Sequence, residues 1–184
     1  MTQFFNAVVA VLLLATATHG QPAQTENEVA PIKKQLFIHD SDWNACFAFI
    51  QNSTDQFGFP SRAVCERSSM IMDRSCTGPF DGVVPRSKNG LPLTPSSYCE
   101  DAICPENTHY CSRGMVVTCC QTKNRDMKRQ AESEKCPDGS KAAGVTSPKG
   151  FKAIFAKSCA DLLCKSSEKC IQVNDHFAKC CSSN

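Results

Sequence analysis

The apolar positions of this chain change character several times. Residues 4–14 form a short apolar run, FFNAVVAVLLL, closed by the small residues ATATHG. Residues 21–35 are polar and hold two prolines, so they read as a mobile leader. Aromatics then crowd together at Phe37, Trp43, Phe47, Phe49, Phe57 and Phe59. Trp43, Cys46, Phe47 and Ile50 fall at i, i+3, i+4 and i+7. That spacing predicts one apolar helix face after a cap at Asp40 or Ser41. Gly58 and Pro60 break the chain, and a second helix is expected from 61 to about 73. Its inner side would hold Val64, Cys65, Ser68, Ile71 and Met72. The expectation for 36–75 is an N-terminal helical hairpin stapled by Cys46 and Cys65. Sharing either cysteine with the segment that follows is the alternative.

Beyond residue 75 a cysteine register replaces apolar periodicity, and it occurs twice. Cys76, Cys99, Cys104, Cys111, Cys119 and Cys120 form one set; Cys136, Cys159, Cys164, Cys170, Cys180 and Cys181 form the other. Each set opens with the same long gap, continues with a C-x4-C step (CEDAIC, CADLLC) and closes on a vicinal pair. Asp101 matches Asp161, Ile103 matches Leu163 and Gly90 matches Gly150. A repeat of this kind predicts two copies of one module. The first gap contains four prolines and three glycines, which oppose long helices and central strands. Each C-x4-C step fits one helical turn, whose two cysteines would point about 140° apart. The segments 111–119 and 170–180 fit short hairpins, with turns at Arg113-Gly114 and Asn174-Asp175. Neighbours on a strand face opposite ways, so each member of a vicinal pair should reach a different segment. Spacing does not choose the pairing within a set.

The expected organisation is a signal peptide (1–20), the leader (21–35), the helical hairpin (36–75), repeat 1 (76–120), a charged linker (121–135) and repeat 2 (136–184). The fold class is small and disulfide-rich: two tandem cystine-stapled modules with short hairpins and a helical turn, plus the N-terminal helical hairpin. A module of such length buries too little apolar surface to fold without its bridges.

The first apolar run explains why the cysteines can pair. It is too short to cross roughly 30 Å of hydrocarbon. It reads as a secretory signal cleaved before Gln21, with a cut after Ala17 as the alternative. An oxidising compartment turns fourteen cysteines into a disulfide framework, and the even count leaves none over. Asn52-Ser53-Thr54 is an N-glycosylation sequon, which places Asn52 on the surface if it is used. The charged linker has no apolar period and reads as solvated chain or a marginal helix; its dibasic pair Lys128-Arg129 reads as exposed linker or as a processing site.

Net charge is +2 with both signs interspersed, which gives no electrostatic footprint for nucleic acid. The lack of C-x2-C pairs and paired histidines argues against zinc, and no cofactor is expected. No G-x-S-x-G elbow or H-E-x-x-H motif is present. Outside the signal the histidines are His39, His109 and His176, none in a recognisable catalytic context. The expectation is a non-enzyme: a monomeric, secreted binding or matrix module for an extracellular protein or glycan, without a membrane span. The alternative is a secreted protease inhibitor, with Arg86, Arg113 and Lys149 as contact residues in exposed loops.

The order of cysteines resembles the lustrin-type cysteine-rich repeat of secreted nematode and molluscan shell-matrix proteins. The resemblance rests on Cys104-Pro105 through Cys111 with Cys119-Cys120, and on Cys136-Pro137-Asp138-Gly139 with Cys180-Cys181. It covers about half the chain. It implies an extracellular, non-catalytic module, sometimes found beside protease-inhibitor domains.

Overall fold

The computed structural model describes residues 33–52, 57–69, 75–148 and 150–183. The expected signal peptide, most of the leader, Ile71, Met72 and the sequon's Ser53 and Thr54 lie outside them.

The chain opens with two antiparallel strands, β1 (Lys34–Asp40) and β2 (Ala45–Gln51), where a helix was expected. The capping signal at Asp40 is genuine. Its Oδ1 accepts from the Asp42 and Trp43 amides at 2.9 Å each, as an N-cap would. The turn it starts is not continued, because Asn44 adopts φ +44° and sends the chain back as a strand. In β2 the residues Ala45 to Ala48 are all buried. An apolar run buried on both faces carries no period to tell strand from helix. The leader also ends earlier than expected, since Lys34 and Gln35 already belong to β1. One helix of the expected pair is present, α1 (Arg62–Ser68), capped by Ser61 Oγ accepting from Val64 N at 3.2 Å. Cys46 and Cys65 join it to β2.

Within the first set follow β3 (Arg86–Ser87), a 3-10 turn (Cys99–Asp101), β4 (Ala102–Ile103), β5 (His109–Arg113) and β6 (Val117–Gln121). Of the two readings of the charged linker, solvated chain or marginal helix, the second holds: it forms a helix, α2 (Thr122–Glu132), packed rather than solvated. The second set comprises β7 (Gly144–Ser147), β8 (Gly150–Ala153), β9 (Phe155–Ala156), a 3-10 turn (Cys159–Asp161), β10 (Glu168–Asn174) and β11 (Phe177–Ser182). Five strands form one sheet in the order β1-β2-β9-β11-β10, with β2 and β9 parallel and the other pairs antiparallel. The pairs β3-β4, β5-β6 and β7-β8 are separate two-stranded units.

The sheet is buried on both faces. On one face Phe37, Cys46, Ala48, Ala156, Ala178 and Cys180 pack around the α1 cysteine, Cys65. On the other, Trp43, Phe47, Phe155 and Phe177 meet Met127 and Ala131 of α2. Phe47 stacks on Phe177 at 5.3 Å, and Phe155 meets both rings edge-on. Each of these three phenylalanines contributes roughly 1.5–3 kcal/mol by leaving water.

Helix α2 escapes a reading from apolar period because its charged residues are used structurally. Lys123 lies 4.4 Å from the Phe80 ring centroid and Arg125 4.4 Å from that of Tyr110. Lys128 Nζ donates to the carbonyls of Trp43 and Asn44 at 3.1 and 3.4 Å, and burial lowers its pKa. The Lys128-Arg129 pair therefore sits on a packed helix rather than in an extended segment. At the helix end the fully buried Lys179 donates to the carbonyls of Gln130, Ser133 and Lys135. Burial pushes its ammonium down to about 8.

All fourteen cysteines are paired. Each set of six closes on itself, and both use the same order: first to sixth, second to fourth, third to fifth. Cys76–Cys120 corresponds to Cys136–Cys181, Cys99–Cys111 to Cys159–Cys170, and Cys104–Cys119 to Cys164–Cys180. The second-to-fourth bridges both span 5.7 Å between Cα atoms, and the third-to-fifth bridges both span 5.4 Å. Both vicinal pairs thus tie their strand to two different segments. The likeness extends beyond sulfur. Val83 N donates to Cys119 O at 2.9 Å, and Ala143 N donates to Cys180 O at 2.8 Å.

Candidate functional site

The two sets share bridges but not loops. The gap of the second set is spent on β7, β8 and β9, and β9 enters the central sheet. The gap of the first set, rich in proline, joins no large sheet and is held locally. Val83 and Cys119 exchange backbone hydrogen bonds of 2.9 and 3.0 Å. Arg86 and Ser87 pair with Ile103 and Ala102, and Lys88 N donates to Asp101 O. Asn89 Oδ1 accepts from Leu91 N at 3.0 Å, closing a turn through Gly90 at φ +76°. Thr94 N donates to Ser97 Oγ, while Ser97 N donates to Thr94 O. Asp101, the residue matched by Asp161, accepts from Tyr98 N at 3.0 Å.

With its backbone so occupied, this loop turns apolar side chains outward. Val84 is 91 % exposed, Leu91 65 % and Met115, at the β5-β6 hairpin tip, 75 %. Of eleven exposed large apolar residues in the described chain, seven come from the first set: Val83, Val84, Leu91, Tyr98, Ile103, Met115 and Val116. Only Val145 and Leu163 come from the second. The concentration matters because scattered exposed apolar residues are ordinary, whereas a grouped patch marks an interaction surface. Grouping is visible in two adjoining concavities. One, about 250 Å³, is lined by Val83, Val84, Leu93, Pro95 and Val116. The other, about 290 Å³, is lined by Leu91, Pro92, Leu93 and Ser97, and the two share Leu93 and Thr94. Both are smaller than pockets that enclose drug-sized ligands, roughly 300–1,000 Å³.

Arg86 and Lys88 are exposed on the same loop, and Arg113 is exposed at the end of β5. The stretches 82–98 and 112–118 contain no acidic residue. The Arg113 guanidinium lies 4.1 Å from the centroid of the half-exposed Tyr98 ring. Among the described residues none of these three cations pairs with a carboxylate. Other cations of the chain do, as in Lys157–Asp40 at 2.7 Å and Lys169–Asp138 at 2.9 Å.

A larger groove of about 420 Å³ lies at the end of α2, between Arg129, Ser133, Lys135, Pro137 and Val173. Another of about 310 Å³ runs from Gln35 to Leu163 and Glu168.

Arg86 is exposed, but its backbone pairs with Ile103. Arg113 ends a strand opposite Val117 and is stacked on Tyr98, so it does not project from a free loop. Lys149 lies outside the described residues. Asn52 is exposed at the end of β2. His39 bonds Asn44 at 3.1 Å, His109 bonds Thr108 at 2.9 Å, and His176 packs beside Trp43. Among the described residues no group of His, Cys, Asp and Glu could hold a metal ion.

The displaced pKa values belong to structural contacts away from this surface. Burial alone would raise Asp40, but Lys157 and the amides of Trp43 and Asp42 hold it below the usual range. Burial likewise opposes Glu66, and Lys152 with Arg62 pulls it down. The Ser140 hydroxyl, Lys169 and the Ser140 amide bring Asp138 to about 2. The outward apolar side chains of the first gap were not singled out by sequence. Their signal was present in GVVP, LPLTP and GMVV, apolar residues in segments that proline and glycine keep out of a core.

No family model matches the chain, and no curated protein or solved structure matches it. No helix among the described residues is long and apolar enough to cross a membrane.

Proposed function

We propose that this chain is a secreted, non-catalytic binding module in which one disulfide framework occurs twice and the first copy carries the recognition loops. The observation behind this reading is the grouping of exposed apolar side chains on loops cross-linked by three bridges. Loops fixed before binding lose little freedom on contact, so their apolar area converts more fully into affinity. An apolar lining favours a protein partner over a glycan. The apolar run at 4–14 and the fully paired cysteines support secretion through an oxidising compartment. Exposure of Asn52 is compatible with a glycan there. The resemblance to the lustrin-type repeat belongs to the same proposal, and the shared pairing order supports two copies of one module. The protein acts as a monomer.

The test is binding to arrayed extracellular proteins and arrayed glycans, with wild-type protein and a Val84→Ser, Leu91→Ser, Met115→Ser variant. Retention on a protein that the variant no longer binds supports the reading. Retention on glycans alone, or equal binding by the variant, contradicts it.

One observation favours a second reading, a protease inhibitor. The segment from Val83 to Ser87 is tied to Cys119 at one end and to β4 at the other, with Arg86 exposed. Titration of trypsin-like proteases decides it. Stoichiometric inhibition lost on Arg86→Ala supports the inhibitor, and slow cleavage after Arg86 rejects it.

A further inference from the structure

The binding surface has a sign as well as a shape. Its two concavities meet at Leu93 and Thr94, and each is sized for one or two side chains rather than for a whole small molecule. The segment connecting their walls runs from Pro85 to Asn89 and carries Arg86 and Lys88. Arg113 stands opposite Val117, which lines the first concavity. Its stack on Tyr98 brings it to the residue next to Ser97, which lines the second. Three cations therefore flank an apolar surface, and none has a carboxylate partner among the described residues. Of the residues that line the two concavities one is acidic, Asp101, and its carboxylate accepts from the Tyr98 amide.

Unpaired cations beside apolar hollows match a partner that supplies carboxylates and apolar side chains together. An extended protein segment alternates its side chains between two sides, so one side can enter adjoining hollows while neighbouring residues reach the rim. Guanidinium groups favour carboxylates through two parallel hydrogen bonds. A ring already stacked beneath Arg113 holds that group in place, which reduces the ordering cost of a contact. We infer that the loops of the first cysteine set bind an extended protein segment in which apolar residues are interspersed with Asp or Glu. This inference rests on the binding-module reading given above.

The experiment uses the full secreted chain with its bridges intact and follows the methyl signals of Val83, Leu93 and Val116 by NMR. Three probes are added separately: a synthetic peptide alternating leucine with glutamate, its leucine–lysine counterpart, and phosphatidylserine vesicles. The expected result is displacement of those methyl signals by the glutamate peptide, at least about tenfold tighter than by the lysine peptide. An Arg86→Glu, Arg113→Glu variant should reverse the preference, while Lys165→Glu, at the far rim of the groove near Leu163, should not. Equal binding of both peptides overturns the inference yet leaves a binding surface. Displacement by vesicles alone also overturns it, in favour of a lipid surface. If no probe moves these signals the inference fails. The protein and glycan arrays then report separately on the binding-module reading.

Discussion

The side-chain amide of Asn124 grips the peptide of Phe80, donating to its carbonyl at 2.7 Å and accepting from its N–H at 3.4 Å. Asn124 belongs to α2 and is 1 % exposed, while Phe80 lies at the start of the first cysteine set. A Cβ on Gly78 would collide with the same amide, so that glycine admits the close approach. Replacing Asn124 by Leu leaves the Phe80 carbonyl and N–H without their partner. The expected loss of stability is about 1–3 kcal/mol, measured by chemical denaturation with all bridges intact. An unchanged midpoint would show that α2 does not hold this loop.

Lys179 makes the corresponding attachment to the other end of α2. Its three carbonyl partners are the reason a cation persists in a fully buried position. Lys179→Met removes a costly buried charge but strands three carbonyls, and the second effect should win by about 2 kcal/mol. The linkage has a definite sign. The folded-state pKa is depressed to about 8 from 10.5. Between those values the unfolded chain binds more protons, so unfolding free energy should rise with pH from about 8 to 10.5. In Lys179→Met this rise should shrink to the part that the buried Lys128 contributes. A flat profile in the wild type would place the ammonium in a better-solvated setting.

The acid limb has the same sign, with stability rising as pH rises. Asp40, Glu66 and Asp138 all have folded-state pKa values below their ordinary ones. Their contribution is present above the unfolded values, 3.8 for Asp and 4.5 for Glu, and is lost as pH falls through the lower folded values. The denaturation midpoint should therefore decline below about pH 4.5 and keep declining towards about 2. Asp40→Asn should flatten part of that limb, since Asn cannot hold Lys157 by charge. An identical acid limb in this variant would rule Asp40 out.

Gly144 pairs with Ala153 across the β7-β8 hairpin, and the Phe151 ring lies against it. A Cβ there would run into the Phe151 ring and the Lys152 carbonyl. Gly144→Ala should cost about 1–3 kcal/mol through this overpacking. A Cβ at Gly139 meets no atom within 4 Å, so Gly139→Ala should cost only the roughly 1–2 kcal/mol of a left-handed backbone. Comparable denaturation midpoints for Gly144→Ala and wild type would contradict the packing.

The cysteine repeat was legible because covalent chemistry ties function to spacing, and the C-x4-C step with its vicinal pair recurs regardless of surrounding residues. The short hairpins were legible for a related reason, since few residues separate Cys111 from Cys119 and Cys170 from Cys180. The helix after Ser61 and its staple to Cys46 were legible too, but the strands before residue 52 were not. Trp43, Cys46, Phe47 and Ile50 satisfy a helical period, yet in β2 Phe47 faces α2 while Cys46 faces α1. Asn44 decides the outcome through a backbone angle that no period reports. Helix α2 was hidden differently. Its contacts run through Asn124, Lys123, Arg125 and Lys128, polar residues whose burial depends on rings and carbonyls distant in sequence. The exposed loop surface was legible only in outline: proline and glycine keep GVVP and LPLTP out of a regular core element, but nothing in the spacing says that no other segment covers their side chains.

One bridge pattern is used twice, and peptide mapping of the non-reduced protein by mass spectrometry reads that pattern out. The expected bridges are Cys46–Cys65, then Cys76–Cys120, Cys99–Cys111 and Cys104–Cys119, mirrored by Cys136–Cys181, Cys159–Cys170 and Cys164–Cys180. Bridges that cross from one set to the other, or different pairing orders in the two sets, would contradict it.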